Sequence, residues 1–117
     1  MQIMKWCLSL VALTLCTMLV SSCAQPNKSP VIESLTAEPP VVNLNESATV
    51  KCIAYDPDGD KLSYQWVASM GDISGQGYTV IWTGPQMCGN HVITVTVVDS
   101  SGKEATEEVT IRVKKPG

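Results

Sequence analysis

Residues 47–70 carry two runs of two-residue alternation separated by a short acidic turn. In Ser47–Tyr55, Ala48, Val50, Cys52 and Ala54 share one phase, and Thr49, Lys51 and Tyr55 the other. In Leu62–Met70, Leu62, Tyr64, Trp66, Ala68 and Met70 share a phase opposed by Ser63, Gln65 and Ser69. A period of two places successive side chains on opposite faces of a strand, so each run reads as a half-buried β-strand. Between them, Asp56-Pro57-Asp58-Gly59-Asp60 is turn chemistry: Pro57 lacks an N–H to donate and Gly59 supplies positive φ. Two such strands must bury their apolar faces against a second layer, which points to a small β-sandwich.

The rest of the chain from Val31 reads the same way. Val31–Ala37 is a first strand, broken by Glu38-Pro39-Pro40, and Val41–Leu44 resumes as an edge segment. Gly71–Gly77 is a glycine-rich loop with room for a short edge strand around Ile73, and Tyr78, Val80 and Trp82 alternate in the strand that follows. His91–Asp99 is dense in β-branched residues, with His91, Ile93, Val95 and Val97 on one face and a half-apolar opposite face, as a central strand requires. In the last strand Ala105, Glu107, Val109, Ile111 and Val113 take the inward phase. No stretch after residue 30 shows a 3.6-residue period. About seven short strands separated by Gly, Pro and Asp turns give an all-β sandwich over residues 31–117.

The N-terminus is of a different kind. Met1–Lys5 is short and basic, and Trp6–Val20 is an apolar run of fifteen residues. A membrane-spanning helix needs about 20 apolar residues, so the run has the length of a signal-peptide core. It accounts for a mean hydropathy of +0.12. Val20-Ser21-Ser22-Cys23 resembles the lipobox of bacterial lipoproteins. The resemblance implies a signal peptide over residues 1–22, cleavage before Cys23, acylation of that cysteine, and a lipidated tether over residues 23–30. It also implies a location at the cell membrane or outer membrane, facing the extracytoplasmic side. An ordinary secretory signal with an incidental cysteine is the plainer alternative. Cys23 to Val31 spans eight residues, so the start of the first strand would lie within about 25 Å of the lipid, with the Asp56–Asp60 turn facing the membrane.

The chain has five cysteines. Cys7 and Cys16 leave with the signal and Cys23 is modified, so Cys52 and Cys88 remain. Two cysteines in a small exported domain read as one disulfide. Closing a loop of about 37 residues would stabilise the fold by about 3–4 kcal/mol. Two buried free thiols are the alternative.

The ordered series Asp56–Asp60, Leu62-Ser63-Tyr64-Gln65-Trp66, Gly71–Gly75, Trp82-Thr83-Gly84-Pro85 and Gly89–Asp99 resembles the bacterial immunoglobulin-like domains of the polycystic-kidney-disease (PKD) type. The likeness runs from about Ser29 to Val113 and implies an immunoglobulin-like sandwich. It departs from the PKD pattern in three places. Val67 and Ala68 follow Trp66 where that type carries Trp-Asp-Phe-Gly-Asp-Gly, and His91 takes a position usually held by tyrosine. Cys88 precedes its strand, so a bond to Cys52 would tie the second strand of the sandwich to a corner rather than form the central bridge.

The function classes narrow accordingly. A net charge of −3 and a pI of 4.9 leave no basic patch for nucleic acid. His91, the only histidine, falls on an inward phase with no acid at a suggestive spacing, and reads as structural rather than as a base. Nothing resembles a phosphate loop or a zinc cluster, so the chain is not read as an enzyme. The one candidate cofactor is calcium. Asp56, Asp58 and Asp60 offer hard oxygen ligands, and the PKD likeness implies that Asp99 and the Asn27–Ser29 segment lie at the same end. Plain turn chemistry is the competing account of these aspartates. Trp66 reads as core, and so does Trp82, for which an exposed carbohydrate platform is the alternative. The expected role is a lipid-anchored, non-catalytic binding or adhesion module with a protein or glycan partner; the alternative is an accessory subunit of an envelope complex.

Overall fold

The computed structural model describes residues 27–116. The lipobox, the signal segment and the first half of the tether, residues 23–26, lie outside the described residues. Eight strands follow in order: β1 (Val31–Glu38), β2 (Val41–Asn43), β3 (Ser47–Tyr55), β4 (Ser63–Ala68), β5 (Asp72–Ser74), β6 (Thr79–Thr83), β7 (Gly89–Val98) and β8 (Glu104–Lys114). They form two four-stranded sheets, ordered β1-β3-β6-β5 and β2-β8-β7-β4. The fold is the all-β immunoglobulin-like sandwich expected, with eight strands because the short segments at Val41 and Ile73 both pair.

The proline pair marks a change of sheet. β1 runs antiparallel to β3 as far as Glu38↔Thr49. Pro39 and Pro40 then offer no N–H to that ladder, and the chain crosses to the other layer. There the Pro40 carbonyl accepts from Arg112 N–H at 3.0 Å, and β2 runs parallel to β8. Val42, 2% exposed, joins the core from that side.

The alternation in β3, β6 and β7 is realised face for face. Ala48, Val50, Cys52, Val80, Trp82, His91, Ile93, Val95 and Val97 are all buried between the sheets. Each fully buried Val or Ile contributes about 1.5–3 kcal/mol. Trp82, fully buried, is the centre of the larger apolar cluster, with Val50, Ile93 and Ile111 around it. Trp66 is only half-buried and packs against the flank of both clusters.

β8 departs from its expected phase at one residue. Glu107 has the inward parity but is exposed. β2 covers β8 only from Arg112 to Lys114, so residues 104–111 form a sheet edge and the carboxylate reaches water past it. Charge on an edge strand also discourages pairing with another chain.

Candidate functional site

The connections β3–β4 and β7–β8 meet at one end of the sandwich, with the segment before β1. In the first, Asp58 N–H donates to Asp56 Oδ1 at 2.7 Å and Gly59 N–H to the Asp56 carbonyl at 2.9 Å. In the second, Asp99 Oδ1 accepts from Ser101 N–H (2.9 Å), the Ser101 hydroxyl (2.8 Å) and Lys103 N–H (2.9 Å). Each aspartate thereby folds its own turn.

The turns bring one carboxylate oxygen each of Asp56, Asp60 and Asp99 within 4.8 Å of one another. Asp58, the fourth expected ligand, is engaged elsewhere: its Oδ2 accepts from Lys28 N–H at 2.6 Å. Asn27 Nδ2 donates to Asp99 Oδ2 at 2.9 Å and also to the Ser101 hydroxyl. The expected approach of residues 27–29 to the acidic turns is therefore present, as a clamp through Asn27 and Lys28.

The electrostatics of the three acids differ. Asp99 is 5% exposed. Burial alone would raise its pKa, but hydrogen bonds from Ser101, Lys103 and Asn27 outweigh it and hold the carboxyl down to about 2. Asp60 moves the other way, raised by desolvation and then by the charges of Asp56, Asp99 and Asp58, against a weaker opposing hydrogen bond from Ser100. Asp56 Oδ2 is buried without a hydrogen-bond partner among the described residues. A hard cation would relieve both features, since Ca²⁺ takes carboxylate oxygens and completes six to eight ligands with carbonyls and water. The donor set fits calcium.

The cysteines require a correction. Cys52 and Cys88 are not bonded; both are free thiols, one buried and one exposed. Cys52 packs against Val95 and Val97, near the acidic end. Cys88 lies seven residues before Val95, at the opposite end of β7, and at about 3.3 Å per residue this is a separation of roughly 20 Å. A disulfide needs Cα atoms about 4–7 Å apart. Burial pushes the Cys52 thiol above its ordinary pKa, so it behaves as a small core residue.

His91 is likewise structural. It is 5% exposed, its Nε2 lies 2.9 Å from the Met87 carbonyl, and its ring sits 6.0 Å from that of Trp82. Trp82 belongs to the core and cannot serve as a carbohydrate platform. Tyr78, which the alternation pairs with Trp82, is instead 57% exposed. Gly75 and Gly77, with φ of 107° and 90°, form the loop that releases it from the strand's parity.

Residues 27–112 match the family model of the bacterial Ig domain. The chain belongs to that family. Domains of this kind are typically non-catalytic. Among solved structures, the PKD1 domain of Vibrio anguillarum Epp is similar at TM-score 0.61 and 23% identity, over 78% of this chain and 100% of that one. A nucleoside hydrolase-related protein of Saccharophagus degradans, associated with carbohydrate metabolism, is similar at 0.61 and 21%, over 75% of this chain but 26% of that one. Carbohydrate-binding modules of the β-sandwich superfamily, described as promiscuous in specificity, give 0.61 and 21%, over 78% and 36%. The bacterial Ig domain thus spans about a quarter of the Saccharophagus chain, and at these identities the likeness is one of fold. A search of curated proteins finds no match.

Proposed function

We propose that this bacterial Ig domain is a non-catalytic binding module of the cell envelope, anchored through a lipid on Cys23. The observation that carries the reading is the Asn27–Lys28 clamp. Asn27 is the fourth residue after Cys23, so an acylated Cys23 would hold the acidic end within about 14 Å of the lipid surface. Such a domain would stand on the membrane by its acidic turns, leaving the rest of the sandwich open to a partner. Acyl chains contribute about 0.8 kcal/mol per buried methylene, and more than one chain makes an anchor stable. Labelling of cells with an alkyne-bearing palmitate tests it. The wild-type chain should take up label and fractionate with membranes, and Cys23→Ala should lose both; label retained by Cys23→Ala would rule out this anchor.

A second reading concerns Asp56, Asp60 and Asp99, which we propose as a calcium site supported by the unpartnered Oδ2 of Asp56. Bound calcium would neutralise the acidic end where it meets the lipid headgroups and would fix the two turns to each other. Calcium titration followed by calorimetry is its test.

A further inference from the structure

Beginning beside the acidic end, a groove of about 750 Å³ opens between β4, an edge strand of its sheet, and the Gly75–Tyr78 segment of the other. A volume of this order is that of a small-molecule site. Trp66 Nε1 donates to the Gly77 carbonyl at 2.9 Å, which fixes the glycine-rich segment beside β4 and fixes the indole plane. Tyr64, Trp66 and Tyr78 line the groove with aromatic residues, and Gln76 in the loop adds an amide; Ser63 and Gln65 border it from the outward phase of β4. None of its ten lining residues is Asp, Glu, Lys or Arg, in a chain whose net charge is −3.

We propose that this groove binds a neutral oligosaccharide. A pyranose ring presents an apolar face of C–H groups and an edge of hydroxyls that donate and accept at once. Aromatic side chains provide flat apolar area for the first, and Tyr adds a polar tip. The Gln76 amide matches the second, because it carries both a donor group and an acceptor. Burial raises the pKa of the Tyr64 phenol, so its hydroxyl stays protonated and able to donate at neutral pH. A charged glycan would find no counter-charge here. An extended peptide would bind instead through the backbone of β4 and would draw little from the Tyr78 ring.

The inference rests on the binding-module reading and narrows it to a ligand class. The full chain in detergent micelles is titrated calorimetrically with cellohexaose, xylohexaose and chitohexaose, and in parallel with polygalacturonate and a set of extended peptides. At least one neutral oligosaccharide should bind. Tyr78→Ala and Gln76→Ala should each weaken that binding tenfold or more, while Ile81→Ala, exposed on the outer face of β6, should leave it unchanged. Binding of peptide or polyanion alone would overturn the glycan assignment and leave the binding-module reading standing. No binding by any of the neutral sugars, or binding that survives both groove substitutions, would equally overturn it.

Discussion

The indole N–H of Trp82 donates to the carbonyl of Met70 at 2.8 Å, tying the residue at the centre of the core to the loop that leaves the opposite sheet. The next residue, Gly71, sits at φ 89° directly against that indole. A β-carbon there would lie 2.5 Å from the Thr83 carbonyl and 2.7 Å from Trp82 Nε1. The crossing between sheets is therefore as closely packed as the core it adjoins.

Gly71→Ala should be markedly more damaging than Gly59→Ala. Both glycines have positive φ, which costs an L-residue about 1–2 kcal/mol. Nothing lies within 4 Å of a β-carbon at Gly59, whereas at Gly71 the contact adds about 1–3 kcal/mol of overpacking. Urea unfolding of the two variants measures the difference; equal midpoints would mean that the loop yields and the contact carries no strain.

Trp82→Phe keeps much of the apolar volume and removes the donor to Met70. A part-buried carbonyl left without its partner costs at most about 1–3 kcal/mol, and Trp82→Ala should cost about 3–5 kcal/mol through the cavity it opens. Chemical denaturation should rank the three proteins in that order. A Phe variant as stable as wild type would show that water replaces the indole at Met70.

The two thiols should behave independently. Cys88 is exposed and should react with a thiol reagent in the native state, while Cys52 should react only on unfolding. Cys88→Ser should change stability by less than about 0.5 kcal/mol, and Cys52→Ser should cost about 1–3 kcal/mol for the buried hydroxyl. Reductant should not move the melting temperature. A non-reduced mass two daltons below the free-thiol value would reinstate the bridge.

The strands were legible in the sequence because burial on one face writes a two-residue period into β3, β4, β6 and β7. The acidic end was legible too: Asp and Gly spell their turns locally, and an immunoglobulin-like topology puts those turns together. Three things were not legible, each for a reason of context. The cysteine count carries no distance, so it could not reveal that β7 separates Cys88 from Cys52. The parity that marks Glu107 as inward ignores that β8 is an edge strand there. The parity that groups Tyr78 with Trp82 ignores that Tyr78 follows Gly77 and precedes β6, where the alternation begins, and so hides the groove.

The acidic end should respond to pH and to calcium in a way that separates its members. Asp99, held at about 2, has a depressed folded-state pKa. Its stabilising contribution is complete above the ordinary carboxylate value of about 3.9 and is lost as pH falls through the folded value. Asp60 is raised, so its ionised form opposes folding, and that opposition is relieved as pH falls and it takes up a proton. Asp99→Asn, which weakens charge-assisted hydrogen bonds, should therefore lower the melting temperature at pH 7 and converge on wild type near pH 2. Asp60→Asn should raise the melting temperature at pH 7 without calcium, because it removes the charge that Asp56 and Asp99 repel. Millimolar calcium should raise the melting temperature of wild type by binding the native state alone, and should raise that of Asp60→Asn much less, since a charged ligand is replaced by a neutral amide oxygen. A wild-type melting temperature indifferent to calcium, with Asp60→Asn still stabilising, would identify the three carboxylates as turn-forming residues whose mutual repulsion the fold tolerates.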